Sequence, residues 1–139
     1  NLDTPEEIDA FRQRYHADEA INEDVLALIR RLRSRGRYKL AVLSNAPPGL
    51  PRWLADWGLL GLFDVVFCSG DEGATKPDPA PFEITLERLG VAPDEAIFID
   101  DSIRNVESAR SLGIHSILFT TAEALEDALE QLLSGFANI

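Results

Sequence analysis

Two adjacent carboxylates, Asp100 and Asp101, follow directly on the apolar run Ile97-Phe98-Ile99 and precede Ser102. A short Ile/Phe run bounded by turn residues reads as a strand buried on both faces. The acidic pair therefore sits where that strand stops, which in open α/β sheets is where ligands bind. Neighbouring Asp residues raise each other's pKa unless positive charge is close. A divalent cation relieves that cost, and hard oxygen ligands select Mg²⁺ or Ca²⁺. The alternative is a strand end with two solvated carboxylates, one of them capping the next helix. Two more polar groups stand in comparable places. Ser44-Asn45 closes the run Tyr38–Leu43, and Lys76 is the only cation in the Gly-, Asp- and Pro-rich loop Ser69–Pro81. In a parallel sheet Ser44 and Asp101 leave their strands on the same edge. A hydroxyl, a backbone amide, an ammonium and a carboxylate-bound cation make a phosphate-binding set. Read singly, Ser44 is a turn residue and Lys76 a surface lysine.

The elements that must position these groups follow from apolar periodicity. Four short apolar strands are expected: Tyr38–Leu43, Phe63–Cys68, Ala96–Ile99 and Ser116–Phe119. Helices alternate with them. Thr4-Pro5-Glu6-Glu7 opens one that runs to about Tyr15. Asn22 caps a second, with Val25, Leu28, Ile29 and Leu32 on one face and Gly36 at its end. A third begins near Leu50 and carries Trp53, Leu54, Trp57 and Leu60, a spacing that reads as core packing. A fourth carries Phe82, Thr85, Leu86 and Leu89 and ends at Gly90. Asp101 or Ser102 caps a fifth, with Val106, Ala109 and Leu112 before Gly113. Thr121 caps the last, with Leu125, Ala128, Leu129 and Leu132. Strands alternating with helices mean βαβ units and a parallel sheet.

Composition narrows the class. The chain has 139 residues, enough for one domain with a real core, and a net charge of −11. That charge argues against nucleic acid or an acidic membrane as partner. The basic cluster Arg30, Arg31, Arg33, Arg35, Arg37 and Lys39 lies at a helix C-terminus, where cations favour the dipole. No run approaches a membrane span and no signal-peptide pattern opens the chain, so a cytoplasmic setting is the default expectation. The single Cys68 follows Val65-Val66-Phe67 and reads as a buried, inert thiol. His16 and His115 have no partner pattern and read as structural. The absence of Met points to sequence upstream of Asn1.

Taken together, Leu43-Ser44-Asn45, Lys76-Pro77-Asp78-Pro79 and Phe98-Ile99-Asp100-Asp101-Ser102 resemble motifs II, III and IV of the haloacid dehalogenase (HAD) superfamily. Each motif alone is weak, but their order, spacing and strand contexts match. The resemblance covers about Asn22 to Leu133, with Asn105-Val106 and Ala109-Arg110 also similar. It is nearest to the phosphatase-type subgroup with a small helical cap, such as the phosphatase domain of epoxide hydrolases and sugar-phosphate phosphatases. It implies an α/β, Rossmannoid three-layer fold with a mostly parallel sheet: residues 1–20 as the remnant of a helical cap and 21–139 as an incomplete core. It also implies that Ser44 and the Asn45 amide bind a phosphoryl group, and that Lys76 pairs with phosphate and nucleophile. Asp101 would ligate Mg²⁺ directly, Asp100 would support it, and Ser102 and Asn105 would stand behind them. Dehalogenases of the family usually lack the acidic pair, so Mg²⁺-dependent phosphoryl transfer to or from a small phosphorylated molecule is favoured.

The resemblance breaks at motif I. No Asp-x-Asp occurs in the sequence and no strand is expected before Tyr38. In the family that strand carries the nucleophile and the acid/base, and lies between the strands ending at Ser44 and at Asp100. Its absence would leave backbone groups unpaired. Direct strand pairing, a second chain or an upstream segment would each repair that. Two readings follow: a phosphatase core inactive as this chain, or a truncated scaffold that binds metal, a phosphate ligand or a protein partner without turnover.

Overall fold

A computed structural model describes residues 23–137. The expected helix ending near Tyr15, the cap remnant 1–20, His16 and the Asn22 cap lie outside the described residues. The chain divides into two compact units, Asn1–Gly90 and Val91–Ile139.

The first unit contains α1 (Glu23–Arg35), β1 (Ala41–Ser44), α2 (Leu50–Asp56), a 3₁₀ turn (Leu60–Leu62), β2 (Val65–Cys68), α3 (Ser69–Glu72) and α4 (Pro79–Leu89). Strands β1 and β2 are parallel, with Ala41 opposite Val65 and Ser44 opposite Cys68. Alternation along β2 divides its side chains between two layers. Cys68 joins Ala46, Leu50, Trp53 and Leu54 in one buried cluster, with Val42, Trp57, Leu59 and Val66 packed against it. Trp53 and Trp57, one helical turn apart, bring their ring centroids to 3.9 Å, so the aromatic spacing is core packing as expected. Phe67 points the other way and is fully buried. Helix α4 lies against both strands, contributes the buried Phe82, and sets the Arg88 guanidinium 5.9 Å from the Phe67 ring centroid.

Helix ends explain most differences from the sequence expectation. α4 starts at Pro79, three residues before its first apolar residue, because Asp78 is extended and Pro79 suits a first helical position. Ser69–Glu72, expected as loop, is a single helical turn. Strand β1 begins at Ala41 rather than Tyr38, with Leu40 just outside the ladder. The Leu40 carbonyl accepts the Asp64 N–H, and the Leu40 N–H donates to the Asp64 carboxylate at 2.8 Å. Arg33 also donates to that carboxylate, at 2.7 Å. Lys39 does not serve its own helix: its ammonium donates to Leu89 O, at the C-terminus of α4.

The second unit contains a 3₁₀ turn (Pro93–Glu95), β3 (Ile97–Asp100), α5 (Ile103–Ser111), β4 (His115–Leu118) and α6 (Ala122–Ala137). β3 and β4 are parallel, Ile97 opposite His115 and Asp100 opposite Leu118, and α5 lies against both. Val106 and Ala109 are fully buried on α5, and α6 buries Leu125 and Leu129. Thr121 caps α6 as expected, its Oγ1 accepting the Ala124 N–H at 3.1 Å. His115 is exposed, with Nε2 3.1 Å from Asp94 O, a structural contact.

The four expected strands exist, but among the described residues they hydrogen-bond as two separate parallel pairs, not as one sheet. The expected burial of β3 on both faces is corrected: Ile99 is 37% exposed. A strand in a two-stranded pair has fewer neighbours to cover it than one inside a wide sheet.

The Asp64 junction generates a pH prediction. Its carboxyl is held below the ordinary carboxylate value, first by the hydrogen bond from Arg33 and then by that from Leu40. A folded value below the unfolded one means that the contribution is fully present above the unfolded value. It is lost as pH falls through the folded value. Asp64→Asn should therefore cost about 1 kcal/mol or less near pH 7, in keeping with a partly exposed pair. Urea titrations at a series of pH values should show wild type and variant converging below the ordinary carboxylate range.

Candidate functional site

Ser44 and Asp100 are placed by strand ends. Ser44 is the last residue of β1, half-buried, and Asn45 is the exposed residue after it. Lys76 lies between α3 and α4, half-buried, and its bond to Pro77 is cis. The sequence places these two segments 31 residues apart. The Asn45 side chain joins them. Its Nδ2 donates to Lys76 O at 3.0 Å, and the Lys76 N–H donates to its Oδ1 at 2.9 Å. This two-point pairing imitates a strand ladder with one side chain and ties Lys76 to the end of β1. The sequence reading gave Asn45 only a backbone role. Its side-chain role has one sequence signal: an amide carries a donor and an acceptor on separate atoms, as a peptide unit does.

Behind Ser44 and Asn45 the chain turns through Ala46-Pro47-Pro48-Gly49 into α2. Gly49 has φ 102°, a left-handed conformation that a side chain disfavours. Cys68 opposes Ser44 in the ladder, is buried, and directs its thiol to Pro47 O at 3.1 Å. Burial pushes that thiol's pKa up, which fits the expected inert role.

In the second unit, Asp100 ends β3 and both its carboxylate oxygens have protein donors. Oδ1 accepts the Ser102 N–H at 2.9 Å, and Oδ2 accepts from Asn105 Nδ2 at 3.3 Å. Ser102, not Asp101, caps α5: its Oγ faces the Asn105 N–H at 3.5 Å. Asp100, Ser102 and Asn105 thus form one local cluster at a helix N-terminus, a favourable place for negative charge. Asp101 is exposed at the same turn.

The donor set fits a hard cation. Asp100 and Asp101 supply only oxygen, and Mg²⁺ is typically held by one or two carboxylates, keeping waters or phosphate oxygens on its other positions. Among the described residues no group of three or more His, Cys, Asp or Glu side chains is arranged to hold a metal ion, so a closed all-protein cage is not present there. Because Asp100 is already committed to two donors, Asp101 is the freer ligand of the pair. Among the described residues no helix is long and apolar enough to cross a membrane.

Residues 3–113 match the family model described as haloacid dehalogenase-like hydrolase. Among curated proteins the chain is 50% identical over 74 residues to acyl-CoA dehydrogenase family member 10 of Mus musculus, covering 53% of this chain and 7% of that one. It is 36% identical over 107 residues to phosphoglycolate phosphatase of Rhodospirillum rubrum, covering 75% of this chain and 43% of that one. Among solved structures it resembles a HAD phosphatase from Thermococcus onnurineus, with TM-score 0.67 and 33% identity over 83% of this chain and 52% of that one. A HAD family enzyme from Bacteroides thetaiotaomicron, solved in complex with magnesium and inorganic phosphate, matches with TM-score 0.60 and 28% identity, covering 68% of this chain and 51% of that one. The chain spans about half the length, or less, of the curated relatives it matches.

The Asn45 bridge can be tested directly. In Asn45→Ala the Lys76 N–H loses its acceptor and should exchange with solvent about tenfold faster, roughly one hydrogen bond's worth of protection. Amide exchange followed by NMR measures this, and amides of α1 should keep their wild-type rates.

Proposed function

The chain belongs to the haloacid dehalogenase-like hydrolases, and from that premise we propose that it is the phosphate- and Mg²⁺-binding core of a phosphatase acting on a small phosphorylated metabolite. The observation that carries this reading is the Asn45 bridge. It couples a strand-end hydroxyl, Ser44, to the loop of a lysine, Lys76. Phosphatases among its relatives support the reaction class.

In this reading the Ser44 hydroxyl and the Asn45 N–H donate to phosphoryl oxygens, and the Lys76 ammonium offsets their charge. Asp101 and Asp100 hold Mg²⁺, with Asn105 and Ser102 keeping Asp100 in place. When bound, the ion would supply the positive charge that phosphoryl transfer uses to lower repulsion of an anionic nucleophile. The sequence contains no Asp-x-Asp to act as that nucleophile and its acid/base partner. In this reading turnover draws that carboxylate from outside this sequence, as from an upstream segment. Such a segment would also bring strand to a fold whose described strands stand only in pairs, below the size at which sheets are stable on their own.

The test is hydrolysis of a generic aryl phosphate by this chain, with Mg²⁺ and with chelator, beside Asp101→Asn. No turnover is expected, whereas Mg²⁺ should raise the melting temperature of the wild type and not that of the variant. Turnover dependent on both Mg²⁺ and Asp101 would overturn the inactive-core reading. Equal melting temperatures with and without Mg²⁺ would remove the metal site.

A further inference from the structure

The loop behind Ser44 and Asn45 is gripped along its whole length by four consecutive residues at the end of β2. Ser69, nearly buried, uses one hydroxyl for both backbone groups of Ala46. Its Oγ accepts the Ala46 N–H at 2.9 Å and donates to Ala46 O at 3.2 Å. The Gly70 N–H also donates to Ala46 O, at 2.9 Å. The Cys68 thiol reaches Pro47 O, and the Asp71 carboxylate accepts the Gly49 N–H at 3.3 Å. Each of residues 68–71 therefore bonds the 46–49 loop, at Ala46, Pro47 or Gly49.

Gly70 is where this grip is tightest. A Cβ built on it would lie 2.4 Å from Pro48 N, 2.6 Å from Ala46 O and 2.6 Å from Pro47 C. All three are backbone atoms, which cannot rotate away as a side-chain tip can. Any side chain at 70 must push the 46–48 backbone outward. That backbone continues directly into Asn45 and Ser44, and Asn45 carries Lys76.

We propose that Ser69 and Gly70 are positioning residues for the Ser44–Asn45–Lys76 group: they lock the loop after β1 onto the start of the segment that carries Lys76. The lock complements the Asn45 bridge. Segment 68–76 is fastened at its start by Ser69 and Gly70 and at its end by Asn45, so Ser44, Asn45 and Lys76 hold their relative positions as one rigid body. Rigid placement of donors matters because an error of a fraction of an ångström weakens every bond to a bound anion. The purpose assigned to the lock rests on the phosphate reading, but the lock itself does not.

The test compares Gly70→Ala, the milder Ser69→Ala and a control, Leu28→Ala, which opens a cavity in the apolar face of α1. Amide resonances of the 139-residue chain are followed by NMR, alone and during titration with inorganic phosphate. In both lock variants the amides of Ser44, Asn45 and Lys76 should shift, and Lys76 should exchange faster. Phosphate affinity should fall about tenfold or more, the equivalent of one hydrogen bond to a charged group. Leu28→Ala should lower the melting temperature while leaving those amides and that affinity at wild-type values. Should Gly70→Ala not fold, Ser69→Ala decides. The proposal is overturned if only amides 46–49 and 68–71 respond, or if Leu28→Ala produces the same changes. Wild type that binds no phosphate, with variants that still move Ser44 and Lys76, would overturn the phosphate reading and leave the lock standing.

Discussion

The parallel pairing of β1 with β2 is the constraint on which the first unit depends. Four residue pairs, from Ala41–Val65 to Ser44–Cys68, set one register. A parallel ladder delivers both strands to the same edge, so whatever follows Ser44 emerges beside whatever follows Cys68. The loop contacts of this unit are a consequence of that edge. Ala46 meets Ser69 and Gly70, Gly49 meets Asp71, and Asn45 meets Lys76. A slip of one residue would turn Phe67 and Cys68 to each other's faces. It would exchange the side chain facing α4 with the one in the Trp53 cluster. Burial of both side chains fixes the register, and the register fixes the loop.

The same logic separates what could be read in the sequence from what could not. Strand ends, helix periodicity and the groups at Ser44, Lys76 and Asp100-Asp101 are local patterns, and they are found where the pattern puts them. The Thr121 cap and the Gly90 stop are local as well. The Asn45 bridge, the Asp64 carboxylate on the Leu40 N–H and the Lys39 ammonium on the end of α4 are contacts over 31, 24 and 50 residues. Each depends on packing that no local window contains. Gly70 is the clearest case. In a loop with Gly, Asp and Pro it reads as one more turn residue, and its conformation asks for nothing special. Only the backbone of Ala46–Pro48 passing within its Cβ volume makes glycine necessary.

In the second unit the division between Asp100 and Asp101 is also a matter of packing. Side by side in sequence, the two carboxylates look equivalent. Alternation along the strand and the start of α5 make them different. Asp100 is turned to the Ser102 N–H and Asn105, while Asp101 is left exposed. The donors around Asp100 hold its orientation. One residue of the pair is built into the fold and the other is left exposed, a division of labour that would suit the cation site proposed above.

Such a site must work against the chain's overall charge. At a net −11 the protein repels an anionic ligand at long range. Among the described residues, three of its cations are already engaged. Arg33 is paired with Asp64, Arg88 with Glu72, and Lys39 with a helix carbonyl. At physiological ionic strength the long-range field fades over about 8 Å, so it does not decide binding at contact. In the proposed reading contact would be decided by a hydroxyl, a backbone N–H and one ammonium. Their attraction for phosphate depends on where they point more than on how many charges stand nearby, because each bond is short and directional. In the proposed phosphate reading a chain with this charge would bind the anion only as well as its loop is rigid, and the ties of Lys76 to Asn45 and of Ala46 to Ser69 and Gly70 would supply that rigidity without added lysines.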